Sequence, residues 1–85
     1  EPMRKRAKVD SNQAEIVEAM RKAGWQVVSL AALGGGVPDL LCAKGLAVKL
    51  IEVKSATGHL TPWQVRFHRG WPVQVVRTIS EALEL

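Results

Sequence analysis

Three charged residues in the middle of the chain have the types and the spacing of a catalytic group. Asp39 follows Pro38, while Glu52 and Lys54 lie two residues apart at the end of an apolar run. Side chains at positions i and i+2 of a strand leave the same face, so Glu52 and Lys54 are predicted to point the same way. Two carboxylates suit a hard divalent cation such as Mg²⁺, and a nearby lysine can stabilise charge that develops on a phosphate.

The strands that carry these residues are predicted to bring them together. The apolar segments on either side of Lys44-Gly45 read as a hairpin with that dipeptide in its tight turn. The start of one hairpin strand lies beside the end of the next, so Asp39 is expected to meet Glu52 and Lys54. Each residue alone has an ordinary explanation, as an exposed ion pair or a turn aspartate. The adjoining leucine and isoleucine residues favour burial, however, and charges at the ends of buried strands need partners.

The pattern of apolar and turn residues predicts an α/β domain with helices around a mixed sheet. The first helix begins after a cap among Asp10, Ser11 and Asn12, and it ends at Gly24. Thr61-Pro62 marks the start of the second helix, with the threonine as cap. The other predicted elements are strands at 25–30, 39–43, 47–54 and 73–77, a small-residue loop at 31–36, and a last helix at 81–85 capped by Ser80.

The chain has 85 residues, a net charge of +4 and an isoelectric point near 9.7. This length suits one domain, which we predict at residues 10–85. Residues 1–9 are read as a mobile basic tail, in which Arg4, Lys5, Arg6 and Lys8 are candidate phosphate contacts. The basic balance favours an acidic partner such as nucleic acid, although a solvated basic surface would give the same charge.

Cysteine usage and hydropathy exclude several classes of protein. Cys42 is the sole cysteine, so the chain can form neither an internal disulfide nor a cysteine-rich zinc site. His59 and His68 lie too far from any paired set of ligands to indicate zinc. No apolar stretch is long enough to span a bilayer and no signal-peptide pattern is present, so we expect an intracellular, cytoplasmic protein.

Two segments, Gly36–Leu41 (GVPDLL) and Leu50–Lys54 (LIEVK), resemble the motifs of the PD-(D/E)xK nuclease superfamily. More narrowly, the chain resembles a stand-alone VRR-NUC domain, the virus-type replication-repair nuclease. The resemblance runs from about Asn12 to the C-terminal helix and includes Asn12–Glu15 and Leu60–Gln64. It implies a restriction-endonuclease-like core, with which the predicted elements agree in their order α-β-β-β-α-β-α. We expect a bacterial or phage-encoded protein.

The resemblance also implies a role for each residue of the candidate site. Asp39, Glu52 and the backbone carbonyl of Val53 would bind Mg²⁺ or Mn²⁺. Glu15 on the first helix would reach the ion directly or through water, and its ordinary alternative is a solvated helix charge. Lys54 would act on the scissile phosphate or on the attacking water.

Further residues are candidates for the rim of the site and for contact with DNA. Gln64 matches the glutamine of the second helix that borders the site in the family, and its ordinary alternative is a surface residue on the first helical turn. The glycine loop before Asp39 would let backbone approach the substrate. The candidate DNA contacts outside the tail are Gly35, Gly36, Arg66 and Arg77.

Stand-alone members of this family resemble Holliday-junction resolvases and act as homodimers. A two-fold dimer suits a four-way junction because its two active sites face opposed strands. We therefore expect a homodimeric, metal-dependent and structure-selective DNA endonuclease of DNA repair, which cuts four-way or other branched DNA. A non-catalytic DNA-binding module on the same fold and a nuclease for flap, nicked or duplex DNA remain alternatives. A partner-binding protein without affinity for nucleic acid is a more distant one.

Overall fold

The computed structural model describes residues 10–85. The basic segment 1–9 lies outside the described residues, together with the predicted phosphate contacts at Arg4, Lys5, Arg6 and Lys8. The structure therefore bears on the predicted nuclease domain and leaves the proposed role of the tail as a prediction.

Within residues 10–85, three α-helices and four strands follow one another in the order helix, three strands, helix, strand, helix, which confirms the predicted order. None of these helices is both long enough and apolar enough to cross a membrane. The elements are α1 (Gln13–Lys22), β1 (Gln26–Ser29), β2 (Leu40–Lys44), β3 (Ala47–Val53), α2 (Pro62–Gly70), β4 (Val73–Val76) and α3 (Ile79–Leu83).

The four strands form one mixed sheet in the order β1-β2-β3-β4. The first two pairings are antiparallel, whereas β3 and β4 run parallel because α2 lies between them in the chain. A two-residue turn joins β2 to β3, and Gly45 in this turn has a positive φ of 60°. The pairing of Lys44 with Ala47 fixes the register, which pairs Leu40 with Ile51 at the other end of the hairpin.

One face of the sheet is buried beneath α1 and α3, and the other face is largely exposed. Alternate strand residues point to opposite faces, so each strand gives one set of side chains to the core. The core consists of Ile16 and Met20 from α1, Ala82 from α3, Trp25 beside β1, and the strand residues Val27, Leu40, Cys42, Ile51, Val53 and Val76. The exposed face carries Val28, Leu41, Val48 and Val75.

The helix starts agree with the predicted caps in one case and differ in another. Thr61 caps α2, with Pro62 in the first helical turn, as predicted. The predicted cap at Ser80 is wrong, because α3 begins two residues earlier and the hydroxyl of Thr78 accepts a hydrogen bond from the Glu81 N–H at 3.0 Å. Thr78 has an extended backbone, which suits a cap. The predicted loop at 31–36 contains a single 3₁₀ turn at Ala31–Leu33.

Asn12 is the N-cap residue of α1, but its side chain does not cap the helix. Instead its amide Nδ2 donates to the carbonyl of Lys54 at 3.2 Å and to that of Arg77 at 3.0 Å. These two carbonyls lie just past the ends of β3 and β4. Asn12 therefore ties the start of α1 to the end of the sheet at which Glu52 and Lys54 lie.

Replacement of Asn12 by alanine is expected to lower the free energy of unfolding by about 1–3 kcal/mol, because two partly buried carbonyls lose their donor. Urea denaturation followed by circular dichroism measures the change. Ser11→Ala is the matched control, since Ser11 is exposed, and we expect it to change stability by less than about 0.5 kcal/mol. Equal stability of Asn12→Ala and Ser11→Ala would contradict this role of Asn12.

Candidate active site

Asp39 and Glu52 lie side by side at one end of the β2–β3 hairpin. The register that pairs Leu40 with Ile51 places the preceding Asp39 opposite Glu52. Both side chains are buried, with 5% of Asp39 and 1% of Glu52 exposed. The Val53 N–H donates to Oδ2 of Asp39 at 2.7 Å. The hairpin thus brings the two predicted carboxylates together and orients Asp39 by a backbone hydrogen bond.

The surroundings of Glu52 favour its neutral form. Its pKa is raised from 4.5 to about 8, mainly by burial and in addition by a hydrogen bond with Asp39 and the charge of that carboxylate. The positive charge of Lys54 lowers the pKa, and the negative charge of Asp10 raises it by a smaller amount. At neutral pH the carboxyl therefore keeps its proton unless a positive charge compensates for its ionisation.

Gln64 connects the start of α2 to Glu52 by using both ends of its amide. Its Oε1 accepts from the Thr61 N–H at 2.9 Å, and its backbone N–H donates to the Thr61 hydroxyl at 3.2 Å, which completes a capping box. Its Nε2 donates to Oε2 of Glu52 at 3.1 Å. Because the cap requires the oxygen on one side, the NH₂ group must face the carboxylate. The structure thus places Gln64 against the pair, where the family resemblance expects it.

The glycine loop brings α2 close enough for this contact. Gly36 has a φ of +85°, and a Cβ atom at this position would lie 2.4 Å from the carbonyl oxygen of Trp63. Only glycine permits so close an approach of the loop before Asp39 to the first turn of α2. Gly35 has open space around it. Close packing on α2 therefore explains Gly36, whereas contact of Gly35 and Gly36 with DNA remains a prediction.

Lys54 directly follows β3, and its N–H donates to the carbonyl of Val76 at 3.1 Å, so that strand pairing continues through this residue. Its charge influences both Glu52 and His68. The loop that follows covers its stem, since a Cβ atom at Gly58 would lie 3.6 Å from Cδ of Lys54. Nη1 of Arg77 donates to the carbonyls of Ser55 at 2.6 Å and Gly58 at 2.8 Å. The Arg77 guanidinium, a predicted DNA contact, thus holds the loop beside Lys54.

Two other predicted residues lie apart from the carboxylate pair. Glu15 is exposed and forms no hydrogen bond or ion pair with another described residue. The inward side of α1 is taken by Gln13, Ile16 and Met20, so the structure does not bring Glu15 into the cluster. The Arg66 guanidinium lies 5.2 Å from the ring centroid of Trp63 on the exposed side of α2, where it is free to meet a phosphate.

His68 is a neighbour of Glu52 that the sequence analysis missed. Its Nε2 lies 3.8 Å from Oε1 of Glu52, and only 16% of its side chain is exposed. Burial and the charge of Lys54 lower the pKa of His68. Because the pKa of Glu52 is raised, this contact is not an ion pair at neutral pH. The signal in the sequence is the spacing of four residues from Gln64, which places both side chains on one face of α2.

The donor set fits a divalent cation of the magnesium type. No group of three or more histidine, cysteine, aspartate or glutamate residues within residues 10–85 is arranged to hold an ion. Mg²⁺ needs only one or two carboxylates, because it keeps several waters. Oε1 of Glu52 is buried and has no hydrogen-bond partner among the described residues, so it is available as a ligand. Asp39, Glu52 and the Val53 carbonyl therefore suffice for such a site.

Comparison with known families agrees with this arrangement. Residues 4–70, which include β2, β3 and α2, match the family described as archaeal Holliday junction resolvase (Hjc). The chain belongs to the Hjc family. Membership places it in the restriction-endonuclease-like nuclease superfamily, and its function is that of a Holliday-junction resolvase-like nuclease. The match begins within the predicted basic tail. Comparisons with curated proteins and with solved structures gave no match.

The raised pKa of Glu52 makes the stability of this Hjc-family domain depend on pH. Between pH 4.5, the ordinary pKa, and about 8, the folded state holds a proton that the unfolded state has released. Stability contributed by this group therefore falls as pH rises through that window. We compare the free energy of unfolding of Glu52→Gln with that of the wild type. We expect this difference to shift in favour of Glu52→Gln by roughly 3 kcal/mol when the pH rises from 5.5 to 8.5.

Urea denaturation of both proteins at the two pH values measures this difference. The lowered pKa of His68 acts in the opposite direction, since stability rises with pH up to its ordinary pKa of 6.5, but His68 is present in both proteins. Glu15→Gln, which removes an exposed carboxylate, is the control and should follow the wild type. Parallel pH curves for wild type and Glu52→Gln would show that Glu52 ionises freely.

Proposed function

We propose that the chain is a divalent-metal-dependent endonuclease that nicks four-way or other branched DNA, with Asp39, Glu52 and Lys54 at its active site. The observation that carries the proposal is the pair of adjacent, buried carboxylates at one end of the hairpin. A lysine follows on the same face, and the chain belongs to a family of junction resolvases. Burial of two carboxyl groups in contact is unfavourable for a purely structural site, whereas a cation would compensate for it.

The metal would be held by Asp39, Glu52 and the Val53 carbonyl, with Mg²⁺ or Mn²⁺ as the ion. Glu15 could add a ligand only through water, because its side chain stands apart from the pair. When bound, the ion supplies Lewis-acid stabilisation of the phosphate and lowers the pKa of water. Val53 fixes Asp39 through its N–H, and Gln64 fixes Glu52 through its amide.

Lys54 supplies positive charge beside the carboxylates without binding the ion. Its ammonium group can stabilise the charge that develops on the scissile phosphate, or orient the attacking water by a hydrogen bond. The loop 55–58 and Arg77 keep its stem in place. Arg77 therefore contributes to the reaction by positioning, and a direct phosphate contact would have to use the guanidinium nitrogens that are not engaged by these carbonyls.

The substrate would be bound through its backbone. The net charge of +4 provides an attraction for phosphates that does not depend on sequence. The candidate contacts are Arg66 on the exposed side of α2, the backbone at Gly35 and Gly36, and the basic residues 4–8. The narrower assignment to a VRR-NUC type rests on the GGGVPD loop and the TPWQ segment. With DNA as substrate, the protein would act in the cytoplasm, and we propose a bacterial or phage origin.

The exposed face of the sheet supports a homodimer. Val28 pairs with Leu41 across β1 and β2, and Val48 and Val75 lie on the same face of β3 and β4. Val48 is 68% exposed. Contiguous apolar patches of this kind mark interaction surfaces. A second copy of the chain is the partner that a resolvase requires, because a two-fold dimer presents two active sites to a four-way junction.

Cleavage of a labelled four-way junction in Mg²⁺ or Mn²⁺ tests the proposed activity. We expect Asp39→Ala and Lys54→Ala each to lower the cleavage rate at least about 100-fold, because each removes a group that acts on the reacting phosphate. Lys22→Ala is the matched control for the lysine, since Lys22 is exposed and, among the described residues, pairs only with Glu18. Its rate should equal that of the wild type.

A panel of labelled four-way, flap, nicked and duplex DNA distinguishes the alternatives. Binding of junctions without cleavage in either metal would establish the non-catalytic DNA-binding module and overturn the nuclease. If flap, nicked or duplex DNA is cleaved in preference to junctions, the proposed nuclease reaction stands and the proposed substrate is wrong. Full activity of Asp39→Ala or Lys54→Ala would show that the substituted residue is not required for cleavage.

Light scattering at micromolar concentration tests the dimer. The wild type should show twice the chain mass, and Val48→Lys should show the monomer mass, because a charge would have to be buried in the apolar interface. Leu83→Lys is the control, since Leu83 is also exposed but lies on α3, and it should remain dimeric. A wild type of monomer mass would refute the dimer.

A further inference from the structure

Helix α2 presents two polar side chains to the two oxygens of one carboxylate. Nε2 of Gln64 donates to Oε2 of Glu52 at 3.1 Å. One turn further along the helix, Nε2 of His68 faces Oε1 of the same group at 3.8 Å. Residues four apart lie on one face of a helix, so a single rigid element addresses both oxygens.

The atoms on the His68 side of this arrangement lack the partners that buried polar atoms normally have. Oε1 of Glu52 and Nε2 of His68 are both buried, and neither forms a hydrogen bond with a described residue. A buried polar group without a partner destabilises the fold. An approach of roughly 0.8 Å would bring the two atoms to an ordinary hydrogen-bond distance of about 3.0 Å. Each of the two atoms can therefore supply the hydrogen-bond partner that the other lacks.

The chemistry of an imidazole suits a carboxylate oxygen that lacks a donor. A neutral ring carries one N–H, and the Nε2 tautomer places it on the atom that faces Oε1. A carboxylate that holds a metal ion is an acceptor only, so an N–H at Nε2 can donate to it.

We propose that His68 is a positioning residue that donates a hydrogen bond from Nε2 to Oε1 of Glu52 and, together with Gln64, fixes the orientation of this metal ligand. The inference rests on the proposed function. Mutation of a residue that hydrogen-bonds to a metal ligand typically lowers metal affinity or activity 10- to 100-fold. His68 acts on the ion through Glu52, since no three-residue ligand group is formed within residues 10–85.

Mn²⁺ binding by the full chain, followed by electron paramagnetic resonance of the free ion, tests the proposal without relying on activity. His68→Leu removes the donor at similar size, and we expect it to weaken Mn²⁺ binding about 10-fold. His68→Gln restores an amide N–H at similar reach and is expected to recover most of the affinity. His59→Leu is the matched control, because His59 is the other histidine of the chain and is exposed; it should bind like the wild type.

Two further variants keep the test decisive. His68→Asn keeps a polar side chain that is too short to reach Oε1, so it should weaken binding as His68→Leu does, even if His68→Leu fails to fold. Asp39→Ala should abolish binding, which identifies the measured ion with the proposed site. Binding by wild type that Asp39→Ala leaves unchanged would overturn the proposed site, and the role of His68 with it.

Other outcomes overturn the positioning role alone. If Asp39→Ala abolishes Mn²⁺ binding while His68→Asn and a folded His68→Leu bind as tightly as the wild type, the site stands and His68 does not position Glu52. Pulsed electron paramagnetic resonance of bound Mn²⁺ reports a directly coordinated imidazole nitrogen. We expect no such nitrogen signal, and a signal present in the wild type and lost in His68→Leu would make His68 a ligand instead.

Discussion

The contact between two buried carboxyl groups, Asp39 and Glu52, is the constraint on which the rest of the structure depends. Like charges in contact and away from water cannot both ionise without compensation. The surroundings supply part of that compensation as a backbone N–H to Asp39, an amide to Glu52 and the charge of Lys54. A domain of this size has little stability to spare. A cation that binds the pair would remove an unfavourable interaction and thereby stabilise the folded state.

The register of one hairpin creates this contact, and small changes in the register would destroy it. A shift of a strand by one residue moves every side chain to the opposite face. Glu52 would then enter the apolar core beneath α1, and Ile51 would replace it beside Asp39. The core residues Leu40 and Cys42 prevent such a shift, because they must remain on the buried face. The apolar pattern of the strands thus determines the position of the carboxylate pair as well as that of the core.

Much of this arrangement could be predicted from the sequence because it follows from local spacing. The alternation in β2 and β3, the turn at Gly45 and the cap at Thr61 are short-range features, and they determine the element order and the meeting of the carboxylates. The orientation of α1 about its own axis is a tertiary property. Neighbouring helix positions differ by about 100°, so spacing alone did not reveal that Glu15 faces solvent. The proximity of His68 to Glu52 likewise depends on how α2 docks.

The docking of α2 shows how the site and the fold share the same interactions. This helix has no fully buried residue, so its attachment to the sheet depends little on apolar packing. Gly36 meets its first turn, and its polar side chains face Glu52. Elements with few buried apolar contacts have low local stability. Ionisation of Glu52 on cation binding would strengthen the hydrogen bonds that it accepts from α2, because charged acceptors form stronger bonds than neutral ones. A cation bound by the carboxylate pair would therefore also hold this helix against the sheet, and its binding would be thermodynamically coupled to the ordering of α2.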